Sequence, residues 1–317
     1  MKKLISLLLV LCMALPFGVL AEEATPVKTG LSFITTLTSS KDGQSQADLA
    51  LVAVLVDDNG VIVACEIDFV QGKIKFDETG VITTDMATEF QSKQELGDGY
   101  GMRKASSISA EWNEQADAFA AYCVGKTVGE LVAMPLTENQ QPADIVSSCT
   151  LKAAEFLPGV IDAVGKATHM GAKKGDTLKL VQYSTMSKSK NATETADGQT
   201  QVYAHVAAIS LNGEVVTSCY IDAVQANVKF NAQGKITSDL TAPVKTKNEI
   251  KEGYGMKGVS PIGKEWYEQT AAFCAFITGK TLTEAIAIGT TPAEYDVISS
   301  CTIGTADFVK LLEKAGK

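Results

Sequence analysis

The distribution of apolar residues divides the chain into strand-like and helix-like segments. Runs of apolar and β-branched residues predict strands at 31–38, 47–56 and 61–68, followed by a short hairpin over 73–84. The turn Asp58-Asn59-Gly60 joins the second and third runs, and it favours a tight hairpin because Asn and Gly accept positive φ angles. The first part of the chain is therefore predicted to form an antiparallel sheet.

The pattern becomes helical after a glycine-containing loop over 87–102. One predicted helix has three residues on a single face and ends at a glycine: Trp112, Gln115, Phe119 and Gly125. A capping box formed by Thr127 and Glu130 predicts a second, short helix. Apolar periodicity over 151–164 predicts a third helix.

The same order of segments occurs twice. Residues 65–133 align without a gap with residues 219–287, and about 30 of the 69 aligned positions are identical. The predicted fold class is therefore α+β, with two tandem repeats, each an antiparallel sheet followed by helices. The predicted domains are repeat 1 over 28–165, a linker over 166–175 and repeat 2 over 176–317.

The first residues have the features of a secretory signal peptide. Lys2 and Lys3 precede an apolar run over 4–15, and small residues lead to a predicted cleavage site after Ala21. No later apolar run reaches the roughly 18 residues that a membrane-spanning helix needs. We therefore expect residues 1–21 to be removed and the mature protein to be extracytoplasmic, without a transmembrane segment.

Composition and charge limit the partners of the mature chain. With 45% hydrophobic and 21% charged residues, the chain has the composition of a globular protein. Without the signal peptide it has 26 Lys and Arg residues against 37 Asp and Glu residues, a formal charge of about −11. This charge, with no basic stripe, disfavours nucleic acid and anionic membrane surfaces as partners.

The cysteines of the mature chain lack the spacing of haem, iron–sulfur or structural zinc sites. They are Cys65, Cys123, Cys149, Cys219, Cys274 and Cys301. Two disulfides between equivalent positions, Cys65–Cys149 and Cys219–Cys301, are one arrangement. Buried free thiols are the other, and the sequence favours them.

Histidine-based catalysis is disfavoured because His169 and His205 have no counterparts in the other repeat. The acidic residues that do match are expected to be solvated carboxylates at strand or turn edges. These pairs are Asp68 with Asp222 and Asp85 with Asp239.

A hydroxyl-rich motif ends each repeat. Residues 144–150 read Asp-Ile-Val-Ser-Ser-Cys-Thr, and residues 296–302 read Asp-Val-Ile-Ser-Ser-Cys-Thr. Each motif precedes a predicted helix, so Thr150 and Thr302 are expected at or near N-caps, where backbone N–H groups and the helix dipole favour a phosphate. Ordinary helix capping and turn chemistry is the alternative interpretation.

The order of these motifs resembles the covalent FMN-binding domain. The resemblance covers Glu95-x-x-Gly-x-Gly-Tyr-Gly, Trp112-x-x-Gln115-x-x-x-Phe119, Gly125-Lys126 and the motif that ends in Thr150. That domain occurs in the sodium-pumping NADH:quinone reductase, in a related electron-transport complex and in exported flavin-bearing proteins. Ser-Cys stands here where the family usually has Gly-Ala before the final hydroxyl residue.

The resemblance implies two FMN cofactors, each esterified to Thr150 or Thr302 by a separate flavin transferase. It implies further cofactor-binding residues around each threonine: Asp144, Ser147, Ser148, Tyr100 and Met102 in repeat 1, and Asp296, Ser299, Ser300, Tyr254 and Met256 in repeat 2. A structural role for the glycine-rich turn that holds the Tyr and Met residues is the alternative.

Other matched residues also have two interpretations. Trp112 and Trp266 either line the site or belong to the core, which is favoured. Lys126 and Lys280 either meet the phosphate or offset the end of the preceding helix, which is favoured.

The expected function is extracytoplasmic electron transfer between a redox donor and an acceptor, with no catalytic residues of its own. One alternative is a non-redox binding or surface protein that keeps the fold without flavin. A second alternative is a reductase domain that acts directly on a small acceptor.

Overall fold

The structure is a computed structural model that describes residues 25–289 and 300–317 and has a mixed α+β fold. Within these residues the strands are β1 (Pro26–Thr36), β2 (Gln44–Val56), β3 (Ile62–Lys75), β4 (Glu89–Phe90), β5 (Thr168–Lys173), β6 (Thr177–Thr185), β7 (Gly198–Asn212) and β8 (Val215–Phe230). The α-helices are α1 (Lys93–Leu96), α2 (Trp112–Cys123), α3 (Val128–Val132), α4 (Leu157–Lys166), α5 (Lys247–Ile250), α6 (Trp266–Ile277), α7 (Leu282–Ile286) and α8 (Ala306–Ala315). The predicted signal peptide lies outside the described residues.

The strands form two antiparallel sheets, with the orders β3-β2-β1-β5 and β4-β6-β7-β8. The Asp58-Asn59-Gly60 turn joins β2 and β3 as predicted, and Gly60 has a φ of 80°. The predicted break before residue 73 is absent, because β3 continues to Lys75 in register with β2. The predicted hairpin over 73–84 is present: Phe76 and Ile82 form a bridge, the N–H of Thr83 donates to the Lys75 carbonyl at 2.9 Å, and Gly80 has the positive φ of a tight turn.

Strand β2 shows how the period of two residues distributes the core. Leu49, Leu51 and Ala53 point into a cluster that also contains residues of the second sheet. Val52 and Val54 point the other way, into a cluster with α2 and α4. The first sheet is therefore buried on both faces.

The second sheet is arranged in the same way. Val206 and Ala208 of β7 point into the cluster shared by the two sheets. Ala207 and Ile209 point into a cluster with α6, α7 and α8. The architecture is thus helices, sheet, sheet, helices, with one apolar layer between the sheets.

The two halves of the chain exchange sheet edges. Strand β4, from the first half, pairs with β6 of the second sheet, and Val244, from the second half, forms a bridge with Thr35 of β1. Residues 166–175, predicted as a linker, contain β5, which pairs with β1.

Side chains reinforce the contact between the halves. Phe76 stacks on Phe230, with ring centroids 4.0 Å apart and planes inclined by 13°. The Lys166 Nζ atom lies 2.9 Å from Glu249 Oε1, and Lys314 pairs with Glu95. Helix α4 of the first half is therefore linked to α5 of the second half, and α8 of the second half is linked to α1 of the first half.

The helices over the first sheet follow the predicted pattern. Trp112, Gln115 and Phe119 are buried on one face of α2, and Thr127 forms the predicted capping box with Glu130 at the start of α3. Both predictions are confirmed.

Gly30 of β1 provides a test of the packing between the first sheet and α4. A Cβ atom at Gly30 would lie 2.1 Å from the carbonyl oxygen of Ala163, so Gly30→Ala forces β1 and α4 apart. We expect a loss of about 1–3 kcal/mol in the free energy of unfolding, measured by urea denaturation. Gly129→Ala in α3 is the control, because its Cβ would meet only Thr127 Oγ1, at 3.9 Å. An unchanged stability of Gly30→Ala would contradict the close packing.

Candidate functional site

A buried glutamine holds the Thr150 hydroxyl in place. The backbone N–H of Thr150 donates to Gln115 Oε1 at 2.9 Å, and the Thr150 hydroxyl donates to the same oxygen at 3.0 Å. Gln115 is fully buried, whereas Thr150 is half-buried. The hydroxyl therefore lies at the boundary between the core and solvent, in a fixed orientation.

The orientation of the Gln115 amide is itself fixed. Gln115 lies on the buried face of α2, and its Nε2 donates to Ser106 Oγ and to the Ala110 carbonyl, both at 3.1 Å. Because both donors are used on this side, the oxygen must face Thr150. The carbonyl of Thr150 also accepts a bond from Gln141 Nε2 at 2.8 Å.

The second half contains the same arrangement around Thr302. The Thr302 N–H and hydroxyl donate to Gln269 Oε1 at 2.8 and 3.1 Å. Gln269 Nε2 donates to Ser260 Oγ at 3.1 Å and contacts Met256 Sδ at 3.6 Å. One buried amide thus connects Thr302 with Met256, two of the predicted site residues.

Neither threonine is a helix N-cap, which corrects the prediction. Helix α4 begins at Leu157, and α8 begins at Ala306 with Thr305 as its N-cap residue. Pro158 fits only the first turn of a helix, and Gly304 disfavours helical backbone just after Thr302. Thr150 therefore lies seven residues before the start of α4, and Thr302 lies four residues before the start of α8.

The other residues of the first motif form an exposed turn. Ser147 and Ser148 are exposed, and the exposed Asp144 accepts a hydrogen bond of 2.7 Å from the Tyr122 hydroxyl. The backbone N–H groups of Ser148 and Cys149 both donate to the Ile145 carbonyl at 2.8 Å. These N–H groups are therefore used within the turn.

Part of the second motif lies outside the described residues. Asp296 and Ser299 belong to that part, whereas Ser300 is half-buried next to the buried Cys301.

The predicted ring-packing residues lie on a turn fixed by a buried carboxylate. Tyr100 and Met102 are half-buried and flank Gly101, which has a φ of 79°. Glu111, at the start of α2, accepts the backbone N–H groups of Met102 and Arg103 at 2.8 and 2.9 Å.

Tyr254 and Met256 occupy the matching turn of the second half. Glu265 accepts the N–H groups of Met256 and Lys257 at 2.9 and 3.0 Å. In both halves, a residue at the N-cap of the long helix positions the turn that contains the Tyr and Met residues.

A lysine surrounded by aromatic rings lies beside each of these turns. The Nζ atom of Lys93 is 4.6 Å from the ring centroid of Tyr100 and 4.8 Å from that of Trp112. The ring of Phe69 lies 4.4 Å away. Such contacts attract a cation to the ring faces.

Lys247 also lies among three rings, with Tyr254 and Trp266 at 4.6 and 4.8 Å and with Tyr203 of β7 at 4.7 Å as the third ring. Its Nζ donates to the Tyr203 hydroxyl at 2.6 Å, and burial lowers its pKa to about 8. This pair of lysines was not predicted from the sequence, although identity at aligned positions 93 and 247 was available as a signal.

Asp68 and Asp222 are buried rather than solvated, which corrects the prediction. Burial raises the pKa of Asp68 to about 7 and that of Asp222 to about 6. Asp68 accepts the backbone N–H of Gln94 at 3.1 Å, and Asp222 accepts that of Asn248 at 3.1 Å. Each carboxyl group therefore connects a strand of the sheet to the short helix that carries Lys93 or Lys247.

The matched tryptophans and basic residues have structural contacts. Trp112 and Trp266 are buried in the layers between sheet and helices, as favoured. Lys126 Nζ donates to the Tyr122 carbonyl at 2.7 Å in the last turn of α2, as expected for a residue that offsets a helix end. Lys280 Nζ lies 4.6 Å from the ring centroid of Phe276.

The histidines lie in unrelated environments. His169 is partly exposed and pairs with Asp58 at 3.0 Å. His205 is buried, and burial lowers its pKa to about 3. It is therefore neutral at physiological pH.

Neither predicted disulfide, Cys65–Cys149 or Cys219–Cys301, is formed in the structure. The six cysteines among the described residues are buried, unbridged thiols, as the sequence favours. Within residues 25–289 and 300–317, no three His, Cys, Asp or Glu side chains are grouped closely enough to hold a metal ion. In the same part of the chain, no helix is sufficiently long and apolar to cross a membrane.

Comparison with known proteins finds no family model, no curated protein and no solved structure that matches the chain. The resemblance to the covalent FMN-binding domain therefore rests on the sequence motifs alone.

Asp68 is expected to make stability depend on pH. Its pKa is raised on folding, so its contribution is fully present below about pH 4 and is lost as pH rises through about 7. Asp68→Asn should therefore gain on the order of 2–4 kcal/mol relative to the wild type between pH 4 and pH 7. Urea denaturation at several pH values measures this difference.

Asp77→Asn is the control for this experiment. Hydrogen bonds from Thr79 lower the pKa of the half-buried Asp77, so this residue is ionised in both states above about pH 5, where Asp68 is still titrating. A parallel pH profile for wild type and Asp68→Asn would show that Asp68 does not titrate on folding.

Gln115 is expected to be essential for the order of the threonine turn. Gln115→Leu removes the acceptor for the Thr150 N–H and hydroxyl, and we expect a loss on the order of 1–3 kcal/mol in unfolding free energy. Amide hydrogen exchange at Thr150 should become faster. Gln91→Leu, at an exposed position, is the control. Unchanged exchange at Thr150 would contradict the role of Gln115.

Proposed function

We propose that the chain consists of two tandem copies of one α+β unit, each with one FMN esterified to a threonine. The protein then acts outside the cytoplasm as an electron carrier between a donor and an acceptor. The observation that supports this most strongly is the matched pair of contacts from Gln115 to Thr150 and from Gln269 to Thr302. Two half-buried hydroxyl groups with the same buried support are the arrangement expected of two equivalent modification sites.

The described residues fit the attachment of a phosphoester at Thr150. The Thr150 side chain is half-buried, and the neighbouring Ser147 and Ser148 are exposed, so a second protein has access to the hydroxyl. The Thr150 N–H remains bonded to Gln115 when Oγ1 gives up its proton. The turn therefore keeps one of its two anchors after modification.

The modification requires a separate enzyme. In the reaction with FAD, the Oγ1–P bond forms, the P–O–P bond breaks and AMP leaves. An amide such as Gln115 is not a base that accepts the hydroxyl proton, so the flavin transferase must supply that base, together with the magnesium ion. In this proposal the chain is the substrate of the transferase and needs no catalytic residue of its own.

The surroundings of each threonine would position the cofactor. Bound FMN supplies the redox chemistry. In the second half, Met256 shares the Gln269 amide with Thr302, and Tyr254 lies two residues before Met256. These side chains are the proposed contacts of the ring, and Tyr100 and Met102 have the same role in the first half.

A covalent bond is needed because the turn has few free groups for a phosphate. The N–H groups of Ser148, Cys149 and Thr150 are already used. No helix start lies at Thr150. Retention of the cofactor outside the cell would therefore depend on the ester rather than on a backbone anion site.

The intact mass of the protein tests this function, because each esterified FMN adds a fixed increment. After co-expression with a flavin transferase, Thr150→Ala and Thr302→Ala should each remove one flavin increment from the intact mass, and the double variant should remove both. Ser187→Ala removes an exposed hydroxyl outside both motifs and is the control. Modification that persists in the double threonine variant would show that the site assignment is wrong.

A flavin-free binding or surface protein is the second candidate. The engaged N–H groups of the turn and the absence of a helix start at Thr150 favour it. Protein from the native host under flavin-replete growth separates the two functions. Yellow protein that fluoresces on a denaturing gel supports the carrier, and colourless protein at its polypeptide mass supports the alternative.

A further inference from the structure

Each half contains a cysteine on a long strand and a second cysteine on the helix that covers that strand. Cys65 on β3 and Cys123 on α2 belong to one buried cluster. Cys219 on β8 and Cys274 on α6 belong to the corresponding cluster of the second half. In both pairs, the helix thiol is the neighbour that, together with burial, raises the pKa of the strand thiol.

The two helix cysteines reach these contacts from different positions. In the alignment of the halves, Cys274 corresponds to Ala120, and Cys123 corresponds to Ile277. Residues three apart are neighbours on one face of a helix, so both positions face the strand. The other half fills each position with Ala or Ile, which shows that packing alone does not require a thiol there. Both halves nevertheless place one helix thiol against the strand thiol.

A cavity in the second half supports the same geometry. Its volume is about 300 Å³, and Cys219 and Cys274 line it together with Tyr220 and Ala271. The two side chains therefore face one common space from opposite elements.

We propose that Cys65 with Cys123, and Cys219 with Cys274, are two disulfide-forming sites that close in the exported protein. In each pair two S–H bonds break and one S–S bond forms. The two electrons and two protons pass to the disulfide of an external oxidant protein, which becomes a dithiol. Cys149 and Cys301, next to the threonines, remain thiols.

This thiol–disulfide exchange with the oxidant protein takes place while the chain is folding. The thiolate is the attacking form of cysteine. The contact with the partner thiol and burial raise the pKa of Cys65 and Cys219, so the folded pairs supply little thiolate. An oxidising compartment is therefore needed at the time of folding, which agrees with the predicted export.

Thiol counting tests the proposal on protein exported by its own host. The protein is denatured in maleimide without reductant, and its intact mass is measured. We expect two maleimide additions per chain, rising to six after reduction, and linked peptides that join Cys65 to Cys123 and Cys219 to Cys274. Six additions without reductant, or linked peptides that join Cys65 to Cys149, would overturn the proposal.

A shifted cysteine tests the argument from the helix face. Cys123→Ala should leave three reactive thiols without reductant, because Cys65 loses its partner. Adding Ala120→Cys to this variant should restore the count to two, because residue 120 corresponds to Cys274. Cys149→Ala is the matched control and should reduce the count to one. A count of four in the shifted variant, with both Cys65 and the thiol introduced at position 120 reactive, would overturn the argument.

The two proposals are tested separately in one sample, because the flavin increment reports the cofactor and the number of maleimide additions reports the disulfides. A chain without flavin but with two maleimide additions would refute the proposed function and support the disulfides. A chain with flavin and six additions would do the reverse.

Discussion

Burial of the two inner sheet faces against each other is the interaction on which the rest of the molecule depends. Among the described residues, helices cover the outer faces of the sheets, and the inner residues, such as Leu49, Leu51 and Val206, pack mainly against the other sheet. Burial of each such side chain contributes about 1.5–3 kcal/mol. Neither half has an inner core of its own, and the exchange of β4 and Val244 between the sheets follows from this shared layer.

The outer faces of the sheets position the candidate site. Helix α2 packs on β3 through Trp112 and Phe119, and the same face of the helix directs Gln115 inward. A buried amide must find partners for its donors and its acceptor, since an unpaired group would cost about 1–3 kcal/mol. Gln115 finds them in Ser106, Ala110 and Thr150. The hydroxyl proposed as the flavin attachment point is therefore held by a buried amide that needs it as a hydrogen-bond partner.

Buried charge has a related structural role. Asp68 joins the start of α1 to β3 through the N–H of Gln94. Lys93, which is also on α1, lies among three aromatic rings. Both groups lose hydration on folding, and a protonated Asp68 avoids part of that cost. The second half repeats both features at Asp222 and Lys247. These groups fix the segment from the sheet to the turn with Tyr100 and Met102.

The local pattern of the sequence determined the α+β class, the strands around the Asn59-Gly60 turn, the buried face of α2 and the capping box at Thr127. Each depends on neighbours within a few residues, where periodicity and capping chemistry act. The internal repeat also indicated Gln115 and Gln269 as matched residues, although not their partners.

Contacts between distant segments were decided only by the tertiary structure. The apolar pattern after Thr150 predicted an N-cap, but Gln115, 35 residues earlier, takes both the N–H and the hydroxyl of Thr150. A position at a strand edge predicts a solvated Asp68. The structure buries it because the segment over 92–95, distant in the sequence, packs on it. Cys65 of β3 and Cys123 of α2, 58 residues apart in the sequence, enter one buried cluster because α2 packs on the first sheet. A pattern along the chain specifies local conformation, whereas burial and side-chain partners depend on which elements pack together.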